Sequence, residues 1–432
     1  MFLLEVGVVL IAVIAGSRLK GIGMGMMGGL GLLIFSFLFH LKPSMPPFNI
    51  LMVIISVVTA AGAMEAAGGI DYLSFLCEKL IRRHPDYITF IGPLVAYLFT
   101  FLSGTSHVTY SILPIIASAA KEYNIKPSRP LAATVIASQQ AILASPISAA
   151  NAVLISLFNN YGLQLKDVLK IILPSTLCGA LASTLIMHYL ATRDKRTTQL
   201  KSFDMKEQTL SAAFTSKKFA MRSIIIFLIG VSFVVVTGLF NQLRPSWLIN
   251  GNRVMMDMPF IVSISMLSIC ALITIFCKVK APQITQGKIF LTGIEASVSI
   301  LGIAWLGSTL FENEILHITS KANQYIQGSY WQFGVLLFFI NLISSSQSVT
   351  LQMLLPVGIA LGIPILKLIG LLPAVNSMFF IPSYPTMLAA INFDSTGSTH
   401  SGKFLLDHSF MLPGIVATIF SCFISYLLTT FI

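Results

Sequence analysis

The sequence predicts an all-α polytopic membrane protein built from two inverted-topology repeats, and three observations predict it. Of the 432 residues, 55% are hydrophobic and only 10% are charged, with a mean hydropathy of +0.85; a soluble domain carries roughly a quarter charged residues. The apolar residues fall into stretches long enough to cross a bilayer. In each half, two of these stretches are interrupted by small polar residues: Ser103–His107 and Ala144–Ser148, then Ser344–Ser348 and Ile381–Pro385. Backbone amides cannot stay unpaired in hydrocarbon, so unwound chain at that depth must be enclosed by protein or line a cavity. Paired interruptions in two halves point to the substrate site of a secondary transporter.

The elements follow in order. The first repeat, residues 1–191, has spans at 3–17, 21–40 and 48–68, then an amphipathic stretch, Asp71–Arg83. Residues 88–121 hold two apolar pieces around Ser103–His107. Each piece would rise about 20 Å as a helix, short of a bilayer, which predicts a re-entrant hairpin. A broken span at 129–160 and a final span at 167–191 complete the repeat. A basic cytoplasmic linker, 192–221, leads into the second repeat, 222–432. Its spans are 222–241, 258–278 and 288–311, followed by an interfacial stretch at Asn313–Ile326, a hairpin at 331–361, a broken span at 364–392 and a last span at 408–432. Five crossings per half is an odd number, so the second copy must be inverted. A Leu-Pro pair ends the hairpin in both halves, Leu113-Pro114 and Leu355-Pro356.

Charge sets the orientation. The threading puts twenty of the 27 Lys and Arg on one side, among them Arg82, Arg83, Arg129 and the linker cations. That side is cytoplasmic by the positive-inside rule, and both termini are periplasmic. The basic runs sit between apolar segments, which explains the net charge of +11 without a nucleic-acid partner. Arg18 and Lys20 follow the first apolar stretch instead of preceding it, unlike a cleavable signal peptide. The five cysteines form no CxxC and have no His at ligand spacing, so they read as packing residues, with no disulfide framework and no metal site.

A helix that restarts at mid-membrane directs unpaired amides and partial positive charge at the cavity, which suits an anion. The predicted substrate-binding residues are therefore Ser103, Thr105, Ser106 and His107 ahead of a helix from Val108, and Ser145, Ser148 and Asn151 at the first break. Ser345, Ser346 and Gln347 at the second hairpin tip and Ser383 and Tyr384 at the second break mirror them, with Ser344, Ser348, Asn376 and Ser377 nearby. Ser and Thr also allow close helix packing in membranes, but four clusters at matching places favour a binding role. His107, the one histidine within a break, is suited to donate to a carboxylate or titrate near neutral pH. Glu65 and Glu295 are candidate coupling sites for a proton or sodium ion; no other cofactor is expected. Gly23–Gly28 matches GxGxxG, but with no preceding strand the match is accidental. Gly21, Gly25 and Gly29 predict a close-packing helix face instead.

Several stretches resemble the anaerobic C4-dicarboxylate transporter (Dcu) family of bacterial inner membranes, within the wider ion-transporter superfamily. They are Gly104–Ile116, Arg129–Ala133, Ala144–Ser148, Pro382–Pro385, Ala389–Asp394 with Gly397–His400, and His408–Gly414. The second hairpin tip, Ser345-Ser346-Gln347, departs from the family's Asn-Ser-Gln, and the linker 192–221 shows no match to the family. The resemblance implies transport of fumarate, succinate, malate and aspartate, by uptake, efflux or exchange. It also implies a homodimer with an elevator-like displacement of the substrate. A cation or proton antiporter using Glu65 or Glu295 is the alternative. A membrane enzyme is disfavoured, because no HExxH or paired-Asp signature is present.

Overall fold

The computed structural model describes residues 2–19, 22–158, 161–197, 217–249, 252–325, 330–344, 346–381, 384–400 and 407–431. Ser345, Ser383, Gly21 and most of the linker lie outside the described residues.

Among the described residues the chain is all-α apart from one short strand pair. In the first half the helices are α1 (Phe2–Leu19), α2 (Gly23–Phe37), α3 (Phe48–Ala66), α4 (Gly69–Arg83), α5 (Ile88–Ser103), α6 (Leu113–Glu122), α7 (Ser128–Ala144), α8 (Ala149–Phe158) and α9 (Leu165–Thr197). The second half holds α10 (Lys217–Leu239), strands β1 (Ser246–Ile249) and β2 (Asn252–Met255), α11 (Met258–Cys277), α12 (Ala281–Thr285) and α13 (Lys288–Tyr325). It ends with α14 (Trp331–Ser344), α15 (Gln347–Ala360), α16 (Ile365–Leu371), α17 (Pro385–Phe393) and α18 (Met411–Phe431). Among the described residues, eight helical segments are long and apolar enough to cross a membrane.

Several elements differ from the sequence expectation, each for a local reason. Asn313–Ile326 was expected as a separate interfacial helix, but α13 runs unbroken through Tyr325. In the first half Gly68 takes φ +79 and its amide bonds Glu65 O at 2.9 Å, ending α3 before α4 begins. No glycine or proline stands between Ser308 and Gln327 to do the same in α13. The helix expected from Val108 starts later. Ser106–Ser111 forms a 3₁₀ segment, and α6 begins at Leu113 with Pro114 in its first turn. The first hairpin arm is longer than expected, since with the preceding turn Pro85–Ser103 reaches 19 residues. The strand pair was not anticipated, although the sequence carries its signal: Asn250-Gly251 between Trp247, Ile249 and Val254. Its register pairs Trp247 with Val254 and Ile249 with Asn252.

Helix α2 packs on α13 through glycine, though not at the expected spacing. A Cβ on Gly25 would fall 2.2 Å from Val298 O, and one on Gly28 would fall 2.3 Å from Gly302 C, whereas Gly29 meets nothing. The contact follows the helical face Gly25–Gly28 because α13 presents Val298 and Gly302 one turn apart. The helices associate in two sets. One joins α1, α2, α3, α10, α11 and α13; the other joins α5, α7, α9, α16 and α18. Helix α15 touches α13 of the first set, and α8 touches α3.

Candidate functional site

A cavity of about 140 Å³ lies where these sets meet. Both hairpin tips and both broken spans reach it. The first tip contributes Ser103, Gly104, Thr105 and His107, and the second contributes Ser346, Gln347 and Ser348. The first break contributes Ile147, Ala149 and Ala150, and the second contributes Met378 and Tyr384. Helices α3 and α13 close the opposite wall with Val57, Val58, Ile289 and Thr292. The volume equals a few water molecules' share of liquid, a scale suited to a small solute.

The two hairpin tips share a local device. Ser103 Oγ donates to Thr105 O at 3.1 Å, and Ser344 Oγ donates to Ser346 O at 3.2 Å. In each case a serine two residues upstream fixes the turn from which the next helical segment starts. The Thr105 side chain then accepts from His107 N at 3.3 Å, and the Ser346 side chain accepts from Val349 N at 3.4 Å. Both act as N-caps. Gly104 takes φ +75, and a Cβ there would fall 2.9 Å from Ile147 O. The first tip therefore rests directly on the first break, and only glycine fits.

The break residues mostly hold backbone. Ser145 Oγ donates to Phe101 O at 2.6 Å. Ser148 Oγ accepts from Asn151 N at 3.1 Å, capping α8. Asn151 Nδ2 donates to Leu143 O at 2.8 Å and Ser145 O at 2.7 Å, satisfying carbonyls freed where α7 stops. Thus Ser145, Ser148 and Asn151 support the cavity from behind, while Ser103, Thr105, His107, Ser346, Gln347 and Tyr384 form its wall. Ser106 is buried and sits 3.3 Å from the Tyr384 hydroxyl.

The sequence reading named Asn376 and Ser377 but missed Gln139, Gln140, Asn341 and Ser421, which fix these groups. Gln347 Nε2 donates to Gln139 O at 3.0 Å and Asn376 Oδ1 at 2.6 Å. Asn376 Nδ2 donates to Gln140 Oε1 at 3.0 Å, which also accepts from Ser421 Oγ at 2.9 Å. Asn341 Nδ2 reaches Val375 O and, at 3.0 Å, Ser377 Oγ. The available signal was two adjacent glutamines inside an otherwise apolar α7, since a buried amide in a span needs partners.

The acidic candidates lie elsewhere. Glu65 Oε2 accepts from Ile289 N at 3.0 Å, so it caps the start of α13 from across the structure. Glu295, on α13, is exposed. Neither lines the cavity.

The chain matches, over residues 1–432, the model of a family described as the anaerobic C4-dicarboxylate membrane transporter. It belongs to that family. The C4-dicarboxylate transporter DcuA of Escherichia coli is 36% identical over 435 residues, covering 100% of each chain. DcuA of Wolinella succinogenes is 36% identical over 425 residues, 96% of each. The anaerobic C4-dicarboxylate transporter DcuB of Escherichia coli is 34% identical, covering 98% of this chain and 97% of its own. In fold the chain is similar to the Alcanivorax borkumensis YdaH transporter, with TM-score 0.62 at 16% identity over 93% of this chain and 88% of that one. It is also similar to Neisseria gonorrhoeae MtrF, with TM-score 0.51 at 13% identity over 92% and 84%. This member of the C4-dicarboxylate transporter family is a multi-pass membrane transporter, not an enzyme.

Proposed function

We propose that the chain carries C4-dicarboxylates (fumarate, succinate, malate and aspartate) across the bacterial inner membrane, by exchange or by cation-coupled uptake with alternating access. One observation supports this above all: four interruptions far apart in sequence meet at one small cavity. Helices α8, α15 and α17 begin at its wall, at Ala149, Gln347 and Pro385. Each start carries partial positive charge, and the first turns of α8 and α15 also present amides, so two separated carboxylates can each find donors. The relatives' names supply the substrate class.

Residues 1–191 and 222–432 act as inverted repeats, with both termini periplasmic and two copies forming a dimer. The paired Ser103 and Ser344 turns support the repeat. The antiporter alternative finds less support, because Glu65 is engaged in capping α13 and Glu295 is exposed.

Competition against labelled succinate in proteoliposomes tests the reading. Fumarate, malate and aspartate are expected to compete for one site, while butyrate, with a single carboxylate, leaves one set of donors unpaired and competes far more weakly. Inhibition by butyrate equal to that by fumarate contradicts a two-ended dicarboxylate site.

A further inference from the structure

The cavity wall is short of positive charge. Among the described residues that line it there is no Asp, Glu, Lys or Arg; His107 and Tyr384 carry its only ionisable side chains. Three helix starts supply about half a charge each, roughly +1.5 in all, against the −2 of a dicarboxylate. An uncompensated charge in a low-dielectric site is costly.

His107 is placed to supply the difference. Its Nδ1 is sealed and without a hydrogen-bond partner among the described residues. Nε2 makes no described hydrogen bond and is not among the sealed atoms, which leaves it open to the cavity that the residue lines. A histidine with a structural task normally bonds a carbonyl or carboxylate through one nitrogen; this ring bonds neither. It lies 5.5 Å from the Tyr110 ring and 6.4 Å from the Tyr384 ring, stacked on the latter. The Tyr110 ring lies within the roughly 6 Å at which an aromatic ring favours a cation. Tyr110 and Tyr384 are the titratable groups facing the ring, and the cavity-wall residues from α3, α8, α13 and α15 add none.

We propose that His107 takes up one proton from water when the dicarboxylate binds, and that the imidazolium and substrate cross together before the proton is released on the far side. This rests on the dicarboxylate reading above and names its coupling ion. The new N–H bond forms as an O–H bond of hydronium or of the buffer acid breaks; on the same count the empty cavity carries about +1.5 with the ring neutral, and the loaded one goes from about −0.5 without the proton to about +0.5 with it.

The test is proton uptake on binding. Purified protein in weak buffer at about pH 7.5, where succinate is fully ionised, is titrated with succinate beside a pH indicator, and binding is followed by calorimetry. Close to one proton per succinate is expected in the native protein. His107→Gln should show no uptake and bind succinate about tenfold or more weakly. In the native protein alone, affinity should fall about tenfold per pH unit once the free ring is neutral. Succinate binding without proton uptake, uptake that persists in His107→Gln, or a pH-independent affinity overturns the proposal. Absence of any succinate binding overturns instead the dicarboxylate reading, and this inference with it.

Discussion

Ser106 Oγ and the Tyr384 hydroxyl lie 3.3 Å apart although 278 residues separate them in sequence. This contact ties the first hairpin tip to the second broken span at the edge of the cavity. It brings one interruption from each half within reach of the same small solute. Neither group carries charge, so the pair can offer a hydrogen bond to a carboxylate without trapping it.

The first prediction concerns the hairpin tips. Ser106 is buried, and Ser346 caps α15 at the cavity wall. Ser106→Leu or Ser346→Leu inserts bulk where donors are needed. Succinate uptake should fall by at least about tenfold, the equivalent of one lost buried hydrogen bond. Membrane abundance, measured by immunoblot, should stay near that of the native protein. Near-normal uptake by both variants would return these serines to a packing role.

A second prediction addresses the scaffold. A Cβ on Gly302 would sit 2.0 Å from Gly25 O, and a backbone oxygen cannot step aside as a side chain can. Gly302→Val should therefore push α2 from α13 at a cost of about 1–3 kcal/mol, typical of overpacking. Gly29→Ala, with nothing within 4 Å of its new Cβ, should stay within about 0.5 kcal/mol. Thermal unfolding in detergent compares the two. Equal midpoints would show that the glycine contact is not structural.

The positions of the breaks were legible in the sequence because adjacent small polar residues, with Gly or Pro beside them, cluster within otherwise apolar spans. Ser103, Thr105, Ser346 and Tyr384 could be singled out for that reason. Pairings across the fold were not legible. Nothing in the local sequence says that Gln347 will meet Gln139 and Asn376, because sequence separation carries no distance. The start of α13 shows the same limit. Nothing around Glu65 in the sequence says that its carboxylate will accept from Ile289 N at 3.0 Å.

The loop after α17 should respond to pH at its acid end. Asp394 accepts from Thr396 N at 2.9 Å, Ser398 Oγ at 2.7 Å and Thr399 N at 2.6 Å. Ser398 Oγ in turn accepts from Ser128 N at 3.1 Å, clasping the loop to the start of α7. Burial alone would raise this carboxyl, but the bonds from Thr396, Ser398 and Thr399 outweigh it and hold the group below its usual 3.8. A depressed carboxylate stabilises the fold above the unfolded pKa and loses that contribution as pH falls through the folded one. The difference in unfolding midpoint between native protein and Asp394→Asn should therefore be flat from about pH 5 to 8 and shrink below about pH 4. A difference that already shrinks between pH 7 and 5 would contradict the hydrogen-bonded carboxylate.

The last prediction tests the threading on which the inverted repeats depend. Twenty of the 27 basic residues fall on one side when both termini face the periplasm, and the linker around Lys206 is the densest part of that side. In that threading the strand pair between α10 and α11 falls on the opposite side, and its Leu248 is 81% exposed. Arg244 anchors the approach to that pair by donating to Thr237 O at 3.0 Å, so a reporter is better placed on Leu248 than on the arginine. A cysteine replacing Leu248, on a background with the native cysteines removed, should react with a membrane-impermeant maleimide in intact cells. One replacing Lys206 should react only after the cells are opened. Because α10 alone separates the two positions, labelling of Lys206→Cys alone would reverse the orientation of the chain, and labelling of both from outside would show that α10 does not cross; either outcome overturns the threading.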